Sequence, residues 1–563
     1  MATIKGKTLF FTTSPRTPQR FIPEIQLLSE RMPGRKWDKE SQLEYMYILI
    51  DQDFYQGSKT LNDPALSARD RINRAPKALG FIDLSPTIKL TPAGKALIES
   101  RHKEEPLLRQ LLKFQLPSPF HKLPNGREID FWVKPYLEIL RLVRDFGSIT
   151  FDEVQLFGMQ ITDYRKYDEI VEKIKSFRKA KALNTRSYKR FFAESAEREI
   201  REIYSEEFES GDMHVRESSE TTAKKFIDTK KSNLRDYTDA CFRYLRATSL
   251  VSISQSGCSL SIAFAKEKEV DFILETVDRN PVYVDDANRY KRYLFDNESP
   301  RLYSDNRENL LDIIWHLDRT IDCQSLSLVE LKDLQYDLID SKKKSILAAQ
   351  STEIKDYRQF DDIIDVFKRI TLRNSYYDQP LMFEWNTWRA MTMIDGGSIR
   401  ANLNFDDLGE PLSTASGNKA DIECDYGSFM LNVEVTLQSG QKQYDNEGEP
   451  VARHVGKTKQ ATGKETYCFF IAPTISAATI AHFHVLQATN IRHYGGRVNI
   501  IPLELATFVK MVIDSKQASY VPEPRHIEAL ALEARRLAGC CSDELDWFNC
   551  VRDSALNWLS PAM

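Results

Sequence analysis

The 563 residues contain no Cys-x-x-Cys pair, no phosphate-binding glycine loop, no Gly-x-Gly-x-x-Gly and no His-Glu-x-x-His. These absences exclude the common zinc ribbons, P-loop and dinucleotide enzymes and the zincin metalloproteases. Eight cysteines are scattered, and Cys540 and Cys541 are adjacent, which suits neither a zinc ligand set nor a disulfide framework. The N-terminal residues lack the apolar core of a signal peptide. The most membrane-like stretch, Tyr467–Leu486, contains Pro473, His482 and His484 and reads as a buried strand followed by a core helix. A reducing cytoplasm is the expected setting.

A large charge excess is also missing, since the formal net charge is −4. The average hides a division. Residues 1–250 carry 44 Lys and Arg against 36 Asp and Glu, and residues 251–563 carry 34 against 46. Such asymmetry predicts a polyanion-facing half and a carboxylate-rich half. At ~100–200 residues per domain the length allows two to four domains.

Pro64–Ser100 reads as helix, hairpin, helix. Ser67 caps a helix through Arg69, Ile72 and Lys77, Phe81–Leu84 and Ile88–Leu90 flank a turn, and Thr91-Pro92 opens the next helix. This is the closing half of a winged helix-turn-helix, whose helix before the hairpin enters the major groove. Asp239–Leu274 repeats the layout, with strands around Gln255-Ser256-Gly257 and a basic lead-in carrying Lys224, Lys225, Lys230, Lys231 and Arg235. Two such modules in the net-positive half favour DNA over a protein partner. The expected DNA contacts are Arg16, Arg69, Arg71, Asn73, Arg74, Lys77, Lys224, Lys225, Arg243 and Arg246, side chains able to fork to bases or phosphates.

Residues 277–304, rich in Pro, Asn and Asp, read as a connector. The expected organisation is one winged subdomain at 1–117, a second at 118–276, a linker at 277–304 and a cleavage domain at 305–563. The last divides into a helical lead-in at 305–380, a nuclease core at 381–510 and C-terminal helices at 511–563. The fold class is multidomain, mixed α and α/β.

In the core, Lys419–Tyr426 and Phe429–Leu437 alternate at the strand period around Gly427-Ser428, which predicts an antiparallel hairpin. Asp421 and Glu434 face inward on its two strands, where an unpaired carboxylate is costly unless it is paired or binds metal. The spacing is that of the D…E-x-K pattern of PD-(D/E)xK nucleases, with Ala420 where Pro is common and Thr436 where Lys is common. Those enzymes hold Mg²⁺ between an Asp and a Glu on neighbouring strands. Pro450–Thr462 is the predicted following helix, and Thr466–Ala472 and Val498–Leu505 are further strands. One strand of the expected order, helix, three strands, helix, strand, has no visible counterpart. Glu447 and His454 are candidates for the missing lysine's work on the attacking water.

Six segments extend the pattern: Ser14–Ile25 (SPRTPQRFIPEI), Phe383–Trp388 (FEWNTW), Gly417–Glu423 (GNKADIE), Val433–Thr436 (VEVT), Glu447–His454 (EGEPVARH) and Tyr467–Pro473 (YCFFIAP). In this order they resemble the AlwI-type restriction endonucleases, a family that includes strand-nicking large subunits of the BstNBI kind. The resemblance runs from near the N-terminus to beyond residue 500. It implies a type IIS enzyme: two winged subdomains read a short asymmetric duplex site, and a linked PD-(D/E)xK-like domain cuts a few bases outside it. The family's acidic cluster carries over onto Glu384, Asp421, Glu434 and Glu447, with His454 beside it, and the Thr of Glu-x-Thr is shared. Asp421 and Glu434 then hold Mg²⁺, with Glu384 as a third ligand directly or through water. Glu447 or His454 orients or deprotonates the water. One active site cuts one strand, so a double-strand break requires self-association or a separate small nuclease subunit. Two competing readings are a structure-specific repair or recombination nuclease, and a winged-helix regulator with an inactive nuclease fold.

Overall fold

The computed structural model describes every residue except 1, 4–6, 53–62, 123–130, 216–217, 254–258, 373–375, 377, 395, 407–408, 415–418, 519 and 560–563. The chain divides into two compact units, Met1–Ile339 and Asp340–Met563. The division falls inside one helix, Leu328–Lys355, where composition shows no break. Among the described residues no helix is long and apolar enough to cross a membrane.

The first unit is mainly helical. Asp63 caps Pro64–Asn73 by accepting from Leu66 N at 2.9 Å, so the cap lies four residues before the expected Ser67. Pro64 at the first helical position explains the earlier start, because its missing N–H costs nothing there. Ile82–Asp83 and Lys89–Leu90 pair antiparallel, and Thr91 caps the next helix, Pro92–Glu99. Gly94 lets that helix press on the hairpin, since a Cβ there would stand 2.0 Å from the Phe81 carbonyl oxygen. Farther along, the helix Ala223–Arg246 is followed by Val251–Ile253 and Ser259–Ile262 and closed by Glu267–Thr276. The turn at 255–257 lies outside the described residues. A strand not foreseen, Ser148–Thr150, adds to this hairpin and makes a three-stranded sheet.

Residues 277–304 are packed in the first unit and do not form a free tether. Ala287–Phe295 is helical and buries Tyr290 and Leu294, and the Leu294 and Val282 carbonyls accept from Gln110 and Gln115. The polar composition is taken up by caps, as at Asp286. Residues 305–339 pack here too, around Leu310, Ile314, Cys323 and Leu331.

The second unit is built on one sheet. The elements that frame the sheet are α1 (Gln379–Ile394), β1 (Ser398–Ala401), β2 (Ile422–Asp425), β3 (Phe429–Val435), α2 (Gln441–Thr462), β4 (Glu465–Ala472), α3 (Ala477–Ala488), β5 (Asn499–Glu504), α4 (Leu505–Gln517), α5 (Pro524–Ala538) and α6 (Glu544–Leu556), beside the helix Phe360–Ile370 and a separate strand pair, Leu403–Phe405 with Pro411–Thr414. The sheet order is β5-β4-β3-β2-β1, with β3, β4 and β5 parallel and β1 and β2 antiparallel to their neighbours. The central strands β3 and β4 are apolar almost throughout, as strands covered on both faces must be. The strand missing from the sequence reading is β1. It is four residues long, lies at the sheet edge and alternates exposed with half-buried positions after Gly396-Gly397, so it carries no apolar run.

Candidate functional site

The site forms where β2, β3, α1 and α2 meet. Asp421 immediately precedes β2, and its Oδ2 accepts from Val435 N of β3 at 2.9 Å. The carboxylate thus continues the hairpin ladder by one side-chain bond and is fixed beside Glu434. On β3, Asn432 and Glu434 point to the same face, two residues apart. On α2, His454 and Thr458 are neighbours four residues apart. The two periods match: Asn432 Nδ2 donates to Thr458 Oγ1 at 3.0 Å, and Glu434 Oε1 lies 2.7 Å from His454 Nδ1.

That bond takes up the imidazole's Nδ1 and leaves Nε2 outside it. Burial works against charge on both partners, raising the Glu434 carboxyl well above its usual range and lowering the imidazole.

The start of α2 is fixed from the end of β3. Gly440 takes the cap at φ +61°, a conformation that favours glycine. Buried Gln443 donates to the Gln438 and Thr474 carbonyls, both at 2.9 Å, and accepts from Ser476 N. Glu447 follows one turn later, and the Thr436 side chain works against the burial that raises its carboxyl. The helix therefore starts nine residues before the expected Pro450. Pro450 is interior, between Glu447 and His454, where its missing N–H leaves the ladder one bond short.

Glu384 comes from α1. Burial raises its carboxyl well above the usual value, and the charges acting on it are all of like sign: Asp421, Asp378, Glu434 and Glu447. Burial also raises Asp421, as does Glu434, against the opposing bond from Val435 N. Glu447 is raised by burial, with Thr436 and His454 opposing. Asp378 was not singled out from the sequence, although Asp378-Gln-Pro380 has the form of a helix start. Its carbonyl accepts from Met382 N, and its side chain lies toward Leu381 N at 3.4 Å.

Four clustered carboxyls, Glu434 buried and Glu384, Asp421 and Glu447 half-buried, repel one another and cannot all ionise without a cation. Among the described residues no three His, Cys, Asp or Glu side chains form a ready metal-holding set. The donor set, hard oxygens on an open cluster, fits Mg²⁺, which takes one or two carboxylates from protein and fills its shell with water and phosphate.

The basic residues expected on DNA divide. Arg69 and Lys224 are exposed and Lys225 is partly so. Arg74 pairs with Asp70, Arg16 with Asp236 and Asp239, and Arg243 with Asp239 at 3.0 Å, all with part of the side chain still exposed. Asn73 Oδ1 accepts from Trp37 Nε1 at 3.0 Å, and Lys77 is half-buried over the Phe120 ring. Two expectations are corrected. Arg71 is bound through both Nε and Nη2 to buried Glu24, and Arg246 is itself buried at 2% exposure. Both guanidiniums are committed inside the fold.

Comparison with known proteins gives one family match: the AlwI restriction endonuclease family, over residues 77–511. No curated protein matches. Among solved structures, the chain is similar to the small subunit R.BspD6I2 of the heterodimeric restriction endonuclease R.BspD6I. The two are 25% identical over 36% of this chain and 96% of that one, with a TM-score of 0.28. It is also similar to the BpuJ1 endonuclease binding domain in complex with pyrene- and phenanthrene-modified DNA, at 14% identity over 51% and 96%, with a TM-score of 0.35.

Proposed function

The chain belongs to the AlwI restriction endonuclease family, and from that premise we propose that it is a type IIS, Mg²⁺-dependent enzyme. It reads a short asymmetric duplex site and cuts outside it. The observation that carries this reading is the buried convergence of Glu384, Asp421, Glu434 and Glu447 on one hairpin and two helices, with His454 bound to Glu434. Perturbed carboxyls clustered in this way are the electrostatic signature of a functional site.

In this reading the cleavage unit is a PD-(D/E)xK-like nuclease, and Asp421 and Glu434 hold the metal with Glu384. Bound Mg²⁺ supplies a Lewis acid for the phosphodiester and acidifies a water. The chain's own groups do the rest. Glu434 holds the imidazole in the tautomer that presents Nε2, which accepts the proton of the attacking water. Glu447, whose charged form Thr436 favours, orients that water. The products are a 5′-phosphate and a 3′-hydroxyl. The two helix–hairpin segments of the first unit act as winged modules, with Arg69, Lys224 and Lys225 as their DNA contacts. One such site nicks one strand, and the second cut comes from self-association or from a small nuclease subunit.

Supercoiled plasmid with Mg²⁺, followed by run-off sequencing of both strands, tests this directly. Nicks on one strand at a fixed offset from a shared motif are expected. Scattered cuts, or plasmid that is bound and left intact, would overturn it.

A further inference from the structure

We propose that the helices Tyr167–Ala182, Tyr188–Ile203 and Ala223–Arg246 present a second DNA-contacting face, which grips backbone phosphates through Lys181 and Lys231 and reads no bases. The proposal rests on the reading that the first unit binds duplex DNA.

The face is built on a short aromatic ladder. Tyr188 and Phe192 lie one turn apart on one helix and stack with ring centres 6.2 Å apart. Lys181 Nζ, at the end of the preceding helix, lies 4.8 Å from the centre of the Tyr188 ring. Lys231 Nζ, on the third helix, lies 5.1 Å from that of Phe192. The Tyr188 hydroxyl donates to Asp152, which fixes the end of the ladder.

An aromatic face attracts a cation through its quadrupole but has no net charge to cancel it. The two ammonium groups are therefore held in place with their charge intact, unlike the Arg71 and Arg109 guanidiniums, which carboxylates neutralise. Asp152 is the carboxylate the group shares, and Lys181, Arg235 and Lys231 all act on it. Lys181 and Lys231 against this one carboxylate leave a positive excess on the ladder. Lysine is a point charge without the planar fork that pairs with a base edge, so contacts of this kind set position on the duplex and carry no sequence information.

The experiment is the salt dependence of binding to duplexes containing the cleaved motif and to scrambled duplexes, for the parent and for K181Q/K231Q. Each phosphate contact contributes a slope of about 0.9 in log K against log salt. The double variant is expected to lose roughly 2 from the slope and ~10-fold or more in affinity near 0.1 M salt, equally on both duplexes. Its preference for the motif and its cut offset should not change. An unchanged slope would overturn the proposal, and so would a lost preference for the motif, which would mean that the lysines read bases. Loss of binding to poly-glutamate without a change of slope would assign the face to an acidic protein instead. If the parent itself shows no preference for the motif, it is the reading of the first unit as a recognition region that fails. Lys181 is exposed, so K181Q alone keeps the test open should the double variant not fold, with an expected slope change of about 0.9.

Discussion

The two units treat buried charge in opposite ways. In the first, several deeply placed ions are met by counter-ions. Arg109, almost fully buried, reaches Asp305 at 2.7 Å, Glu105 at 2.6 Å and the Glu298 carbonyl at 2.9 Å, and Lys332 completes the network by bonding both acids. Arg71 satisfies Glu24, and Arg279 satisfies Glu138. In the second, the buried carboxyls are gathered with their like. Paired burial is what a scaffold needs, and unpaired burial weakens the fold unless another species completes it. The contrast separates the part of the molecule that holds shape from the part left incomplete for chemistry.

The sharpest way to break this contrast is to neutralise one member of each group. Glu434→Gln and Asp421→Asn should each lower the plasmid nicking rate by at least ~10³-fold, the several kcal/mol that a correctly held metal supplies. Binding to the same duplex in a gel-shift assay should change little. Asn is preferred to Ala at 421 because it keeps an oxygen to accept from Val435 N. Full cutting by either variant would remove the cluster from the chemistry.

In the first unit the same isosteric change should act on stability. Glu24→Gln leaves Arg71 half-buried without its counter-ion and should cost about 3 kcal/mol in urea unfolding of that unit, with no gain anywhere. Asp421→Asn, measured in EDTA, should instead raise the melting temperature. If the two changes moved stability in the same direction, the distinction between the units would fail.

A third test uses pH. Glu384, Asp421, Glu434 and Glu447 all have carboxyls raised by burial, so between the ordinary carboxylate range and their folded values the native chain binds more protons than the unfolded one. Stability from this source is complete below the ordinary range and is lost as pH rises through the folded values. In EDTA the melting temperature should therefore fall as pH rises above the ordinary carboxylate range, and Mg²⁺ should restore more of it at the upper end. A melting temperature that rises over that interval would contradict the assignment.

The smallest expected effect is at Thr436. Thr436→Val removes the hydroxyl that favours the charged form of Glu447 and should lower kcat roughly 10-fold with little change in KM, while Thr436→Ser should retain the parent rate.

The sequence shows the proposed catalytic face more clearly than the proposed DNA-reading face, for a physical reason. Asp421 and Glu434 sit on strands whose alternation is local, and a β-hairpin turns that alternation directly into shared orientation. Whether an arginine faces solvent is decided by a partner far away in the chain. Arg71 is taken by Glu24, 47 residues earlier, and nothing near Arg71 announces it. The same limit hid β1, which is defined by its pairing with β2 and has little hydrophobic pattern of its own. It also misplaced the start of α2, because a proline that could have opened a helix lies within one that Gly440 and Gln443 had already begun.

That proline has a dynamic consequence. A helix with every amide bonded opens as one cooperative segment, whereas a missing rung divides it. Amide hydrogen exchange in α2 should accordingly show two protection levels, the turns before Pro450 opening separately from those after it. Glu447 and His454 would then sit on either side of the seam, able to change their separation as a phosphodiester enters without unwinding the half that Glu434 anchors.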